Sequence, residues 1–403
     1  MAETGAVRQD NIWADMGSLM RRAGRVMMIG SALFLAACQT IVPRGTGPGT
    51  TGPTQPAPVE PGLPTDTERH RIALLVPMSG SNAGVGQSIA NATTLALLDT
   101  GAQNVRITTY DTGRGAGAAV AKAIAEGNRL ILGPLTGEEV KIAAPAARKA
   151  GVPVVSFSND SSVAGNGVFI MGYSPVQAVD RVVTYARSKG VERFAALVPT
   201  GVYGERTGNA LLGAVRSAGG TVVSMQNYTR SAASITAAVK KLGQGSDYQA
   251  VLIADGGRVA MQAAPLIRQN GGVDARILGT ELWNTENGLT SAPSLHGAWF
   301  ASVSDAYYRQ LASKYRARFG TAPYRLSALG YDAVLLTVKI AQDWKPGKAF
   351  PVSELTDKGG FAGIDGAFRF GRDGIAERAL EVQRVDSGKF TVIDAAPRGF
   401  GDN

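Results

Sequence analysis

Between residues 71 and 303, short apolar runs alternate with helix-length stretches, and this alternation is the strongest constraint on what the chain can fold into. Arg71–Pro77 (RIALLVP) reads as a buried strand, and after a Ser79-Gly80-Ser81 loop the stretch AGVGQSIANATTLALLD reads as a helix. VRITTYDTG is the next strand and turn, and RLILGPLTG is a strand ending at Gly133-Pro134. A helix from about Glu138 to Lys149 stops at Gly151, and VPVVSFSND is a strand again. Continuous apolar strands separated by helices predict an α/β fold with parallel sheets covered on both faces. Ser174-Pro175 opens a further helix, with a capping residue followed by proline in the first turn. RFAALVP then starts a second series with TVVSMQN, AVLIADGG, RILGTELWN and GAWFASV, which predicts a second lobe. Helices follow over about Ala306–Phe319 and Ser327–Trp344. The ending GAFRFGRDG, ERALEVQRV and GKFTVI alternates polar and apolar residues between Gly-rich turns, as antiparallel strands do.

The N-terminal portion has a different character. Arg21, Arg22 and Arg25 precede an apolar run from Val26 to Ala37, which is too short to span a bilayer, and Ala36-Ala37 precede Cys38. Cys38 is the one cysteine in 403 residues, so it forms no intramolecular disulfide and no multi-cysteine metal site. Leu35-Ala36-Ala37-Cys38 resembles the lipobox of bacterial lipoproteins, which implies cleavage before Cys38 and a diacylglycerol on its thiol. Residues 1–37 are then a signal peptide, and Met20 would give it a more usual start. The residue after the cysteine is Gln39 rather than aspartate, which favours the periplasmic face of the outer membrane of a Gram-negative cell over the inner membrane. Residues 38–68 are rich in Pro, Gly and Thr and bury too little apolar surface to fold, so they read as a tether. The formal charge of +9 falls only to +8 without residues 1–37, which hold four arginines and three acids. No dense Lys/Arg run interleaved with aromatics points to nucleic acid.

Residues from about 71 to 395 resemble type 1 periplasmic binding proteins of the leucine-binding class. ALLVPMSGSNAGVGQSIANATTLALLD is similar to that family's opening strand, loop and helix, and ILGPLTGEEVKIAAPAARKAGVPVVSFS to its second signature. YGERTGNALLGAVRSAGGTVV, GTELWN, LSALGYDAVLL and FAGIDGAFRFGRDG follow as its later landmarks, in order. The resemblance implies two αβ lobes joined by three crossings around a ligand cleft. The folded domain is expected over 69–395, with a first lobe of about 69–173 and 301–342, a second of about 174–300 and 343–395, and a tail of 396–403. It also implies cleft positions at Ser79, Gly80, Ser81, Thr136, Gly137, Phe157, Ser158, Asp160, Tyr203 and Glu281. Tyr203 falls at the family's aromatic cleft position, and Glu281 where the family places an acid for a ligand amine. Two positions depart from the pattern. Gly137 stands where the family has a carboxylate-binding hydroxyl. Asp160 stands at the second such hydroxyl, and an aspartate there either repels a ligand carboxylate or serves as a turn-maker with Asn159 and Ser161.

Within the superfamily, the lipobox, the tether, GTELWN with LHGAWF, and the ending around Arg378 and Leu380 resemble LppC-like penicillin-binding protein activator lipoproteins. That resemblance implies a penicillin-binding protein partner and a role in peptidoglycan synthesis. The alternative is the solute-binding component of an amino-acid-type ABC importer, with a permease as partner. The helical repeat domain of some activators is missing, since no 34-residue periodicity occurs. Catalysis finds no support. The two histidines, His70 and His296, accompany no GxSxG elbow and no zinc-ligand spacing. Gly113–Gly117 is glycine-rich but lacks both the GK[ST] and the GxGxxG pattern. Glu138-Glu139 are accounted for by a helix start, where the dipole favours acids. The expectation is therefore a binding protein, not an enzyme, without metal or cofactor.

Overall fold

The computed structural model describes residues 68–400 apart from Ser246, so the expected signal peptide, Cys38 and most of the expected tether lie outside the described residues. The first lobe is a five-stranded parallel sheet in the order β2-β1-β3-β4-β5: β1 His70–Val76, β2 Val105–Asp111, β3 Leu130–Leu132, β4 Val154–Ser156 and β5 Val168–Ile170. Helices α1 (Ala83–Thr100), α2 (Ala116–Ala125) and α3 (Gly137–Lys149) follow β1, β2 and β3. Both faces of the sheet are covered. Ile72, Leu74 and Val76 of β1 face one core and Ala73 and Leu75 the other, which is why the strand reads as an unbroken apolar run.

The second lobe repeats the pattern. Helix α4 (Pro175–Ser188) leads to β6 Arg193–Pro199, α5 Val202–Ser217, β7 Thr221–Tyr228, α6 Ala232–Gly243, β8 Ala250–Ile253, α7 Gly257–Gln269, β9 Arg276–Gly279 and β10 Trp299–Ser302. Strand order β7-β6-β8-β9-β10 reproduces the order of the first lobe. In each sheet the order reverses beside the first strand, at β1/β3 and at β6/β8. Such a switch point opens a crevice at the carboxyl ends of the strands. Pro175 occupies the first turn of α4 as expected, although the Ser174 hydroxyl makes no capping bond.

The C-terminal third corrects the expected lobe boundaries. Helices α8 (Ala306–Phe319) and α9 (Ser327–Ile340) pack on α1 of the first lobe, as anticipated. The segment after them, assigned to the second lobe by the sequence, stays with the first. Trp344, Phe350, Leu355, Phe361, Phe368, Phe370 and Ala376 join the core formed by β1, β3 and β4. Trp344 stacks on His70 at the start of β1, with ring centroids 3.9 Å apart. A small antiparallel sheet, β11 Phe361–Gly363, β12 Gly366–Phe370 and β13 Ala376–Arg378, belongs to this layer, and Ile375 bridges Ile170 of β5. Only β14 (Glu381–Asp386) and β15 (Lys389–Asp394) return to the second lobe, where β14 pairs antiparallel with β10. The three crossings thus fall between β5 and α4, between β10 and α8, and between β13 and β14. Ala178, Val303 and Leu380, from the three crossing regions, pack together with Tyr173. Among the described residues no helix is long and apolar enough to cross a membrane.

Candidate functional site

A cavity of about 440 Å³ opens between the lobes, within the range typical of small-molecule sites. Apolar groups form much of its wall: Val85, Leu135 and Phe157 from the first lobe, Leu282 and Val303 from the second, and Leu326 and Leu380 near the crossings. The charged side chains of its lining come from two regions. Glu281 stands on the second-lobe side, while Arg325 and Arg378 stand with Tyr173 at the crossings.

Glu281 is positioned by the stretch GTELWN. Trp283 is fully buried, and its indole N–H donates to the Asp255 carbonyl at 2.9 Å. Its ring lies against Gly279, where an added Cβ would stand 2.2 Å from the indole, so only glycine ends β9 here. The tryptophan pins the 3-10 turn Glu281–Thr285, which directs the Glu281 carboxyl inward. Tyr203, in the first turn of α5, meets it. Its hydroxyl lies 3.1 Å from Glu281 Oε1 and 2.9 Å from Thr280 Oγ1. An ionised carboxylate only accepts, so Tyr203 donates to Glu281 and takes the Thr280 proton. Glu281 Oε2 is buried and accepts no hydrogen bond. Burial pushes the Glu281 carboxyl up to about 7, opposed by bonds from its own amide and from Tyr203. Burial, reinforced by the Glu281 charge, likewise raises the Tyr203 phenol, which therefore stays protonated.

The first-lobe loops are arranged otherwise. The Ser79 hydroxyl donates to Asp111 at 2.8 Å, holding the loop after β1. Thr136 forms a capping box with Glu139 at the start of α3: Oγ1 accepts from the Glu139 amide and donates to Oε2. Ser158 Oγ accepts from the Asp160 amide at 3.0 Å. Asp160 caps the 3-10 turn Ser161–Val163, accepting from the Ser162 amide and hydroxyl, and it pairs with Arg206 of α5 across the cleft. Burial raises its carboxyl, but the two Ser162 bonds and Arg206 outweigh that and leave it below the ordinary carboxylate range. Of the two readings of Asp160, turn-making is the one observed, and the interlobe ion pair comes with it. Gly137 belongs to the same arrangement: a Cβ there would lie 2.6 Å from Asp160 Oδ2 and 2.8 Å from Asp160 Cβ. The two departures from the family pattern are one steric unit.

Of the residues anticipated for the cleft, Thr136, Phe157 and Glu281 line the cavity, and Tyr203 supports Glu281 from behind. Ser79, Gly80, Ser81, Gly137, Ser158 and Asp160 are not part of its lining. The polar groups of Ser79, Ser158 and Asp160 are tied elsewhere: Ser79 to Asp111, Ser158 to the Asp160 amide, and Asp160 to Ser162 and Arg206. His70 is buried against Trp344, whereas His296 is exposed, with Nε2 3.1 Å from the Thr290 carbonyl.

Sequence reasoning missed the crossing residues Tyr173, Arg325, Asp365 and Arg378. Arg325 Nη1 lies 2.7 Å from Asp365 Oδ1 and donates to the Tyr173 hydroxyl at 3.0 Å, while Nη2 lies 3.3 Å from Asp305. Tyr173 in turn donates to Asp365 Oδ2 at 2.5 Å. Tyr173 and Arg325 are 152 residues apart, so no local signal could reveal the network. The arginine-leucine pair at Arg378 and Leu380 was visible only as a family-like ending.

The family profile described as periplasmic binding protein matches residues 70–389. A curated relative, the uncharacterized protein RP748 of Rickettsia prowazekii, is 24% identical over 178 residues, covering 44% of this chain and 48% of its own length. The match thus spans about half of that relative. Solved structures similar to this chain include a candidate branched-chain amino acid ABC transporter protein from Rhodospirillum rubrum, with TM-score 0.69, 20% identity, 81% of this chain and 100% of the other. A solute-binding protein of an ABC transporter from Rhodopseudomonas palustris, in complex with 3,4-dihydroxybenzoic acid, gives TM-score 0.63 and 17% identity over 82% and 99% of the two chains. The branched-chain amino acid transporter substrate-binding protein of Streptococcus pneumoniae, in complex with isoleucine, gives 0.61 and 20% over 82% and 100%. At these identities the likeness is one of fold.

Proposed function

The chain belongs to the periplasmic binding protein family, and from that premise we propose that it is the solute-binding component of an ABC importer, taking a small amine-bearing solute into the cleft. The observation that carries this reading is Glu281: a buried carboxyl on the wall of an apolar cavity, fixed through Oε1 by Tyr203 and with Oε2 unpartnered. Such an acceptor is costly to leave unmatched, and an ammonium group would match it. The apolar wall suits the body of the same solute. The transporter binding proteins of similar fold support the importer over the cell-wall activator suggested by the N-terminal layout and the ending. In this reading the partner is a permease, the cleft performs no chemistry, and the site is periplasmic, with a lipid on Cys38 as the tether's anchor.

Calorimetry of the full chain in detergent with a panel of amino acids and alkyl amines tests it. Micromolar binding that is lost in Glu281→Gln is the expected result. Co-purification with a penicillin-binding protein, together with a cleft that takes no amine, would overturn the importer reading in favour of the activator. Anchoring is checked separately by fractionation, in which Cys38→Ser should move the protein out of the membrane pellet.

A further inference from the structure

Arg378 is an anomaly in the wall of the cleft. It is 6% exposed, and arginine stays charged at any accessible pH. Its Nη2 donates to the Met171 carbonyl at 2.7 Å, yet Nε and Nη1 are buried and donate to nothing. Among the described residues it has no carboxylate within ion-pair distance, unlike Arg325, which has both Asp365 and Asp305. The other groups around it leave these two donors unmatched. The rings of Tyr173 and Phe368 each stand 5.2 Å from the guanidinium, and Gln177 is joined to its backbone amide. Asp365 is already claimed by Arg325 and Tyr173. Asp332 accepts the Ile364 amide; burial and the Asp365 charge push its carboxyl up, while the Arg378 charge opposes that rise from beyond ion-pair distance. A buried cation with two idle donors and no directly paired carboxylate is unfavourable unless an anion completes it.

We infer that Arg378 is the anion anchor of the cleft: the bound solute carries a carboxylate, seated on Arg378 at the crossings, while its amine meets Glu281 on the second lobe. Both residues line the same cavity. A guanidinium presents its N–H groups as a fork that matches a carboxylate. The inference also accounts for the first-lobe loops: carboxylate recognition has no need of Gly137 or Asp160, which are committed to each other and to Arg206. Arg378, Gln177 and Leu380 also border a second groove of about 1030 Å³. The groove's other arginines, Arg181, Arg206 and Arg369, already hold Asp394, Asp160 and Glu377, so the idle donors of Arg378 are the feature that marks a ligand.

This inference rests on the solute-binding reading above, and its test separates the two. Calorimetry on the full chain compares leucine, phenylalanine and glutamate with their α-amides and with 3-methylbutylamine. At least one free acid should bind tenfold or more tighter than its amide. Arg378→Lys should cut that preference to threefold or less without changing amide affinity, and Asp160→Ala should leave it intact. An arginine that merely braces the crossings would weaken acid and amide alike, which overturns the inference. Should Arg378→Lys fail to fold, the wild-type comparison still decides: equal or tighter binding of amide and simple amine overturns it while the amine site stands. If no compound of the panel binds, the inference and the solute-binding reading fall together.

Discussion

The two edges of the cleft treat their polar groups in opposite ways. On the first lobe, Thr136, Ser158 and Asp160 are each engaged by a neighbour within their own loop or turn, and Ser79 by Asp111 at the end of β2. On the second, Glu281 is held by one oxygen and left open at the other. The first edge is complete without a ligand, and the second is not. In the proposed reading, recognition is not shared between the lobes: Gly137 and Asp160 make one side structural, and specificity would fall to the other side and to the crossings.

The largest expected effect is at Glu281. Removing one partner of a buried charge pair costs about 2–5 kcal/mol, so Glu281→Gln should weaken amine binding by roughly 30-fold or more in calorimetry. Comparable binding by the variant would erase the contrast between the two edges. Next comes Gly137→Ala, where the new methyl meets Asp160 at under 3 Å. Overpacking of this kind costs about 1–3 kcal/mol, seen as a lower midpoint in urea, and Asp160→Gly in the same chain, which also removes the Cβ 2.8 Å away, should add little or no further loss. Additive losses would show that the two residues are not one unit.

The pH dependence follows from Glu281. Its carboxyl, raised to about 7, is neutral below that pH and ionised above it. An alkyl amine stays charged to about pH 10, as lysine does, so affinity should rise as pH climbs from about 5.5 and level off above about 7.5. The unliganded protein should behave oppositely. Its folded state holds a proton that the unfolded state has lost between the ordinary 4.5 and about 7, so this group makes stability fall as pH rises through that window. A flat affinity profile over the same range would remove Glu281 from the amine. The smallest effect is expected for Arg206→Ala. Its pair with Asp160 is partly exposed, and such pairs contribute about 0–1 kcal/mol, so a shift of that size in the urea midpoint with unchanged amine affinity is the expected outcome.

Much of the fold was legible because its signal is local. An unbroken apolar run such as RIALLVP buries both faces of a strand, and Ser174-Pro175 begins a helix wherever the chain goes next. Glu281 and Tyr203 were legible through their landmarks, and the structure joins them. The lobe of residues 343–380 was not legible. Alternation in GAFRFGRDG shows which side chains share a face, but not which of two apolar cores that face will cover. Trp344 and Phe350 decided it by reaching the core beneath β1.

By itself, the sequence determined the parallel αβ order of the chain and the apolar faces that its strands bury. These follow from composition and short-range periodicity, which act on neighbouring residues. Tertiary structure alone decided which polar groups face the cleft. Whether Asp160 repels a ligand or pairs with Arg206, and whether Arg378 meets a carboxylate or stands without one, depends on groups brought together from distant parts of the chain. Burial then sets the outcome, because in a low-dielectric interior an unmatched charge calls for a partner, and the fold chooses which partners are within reach.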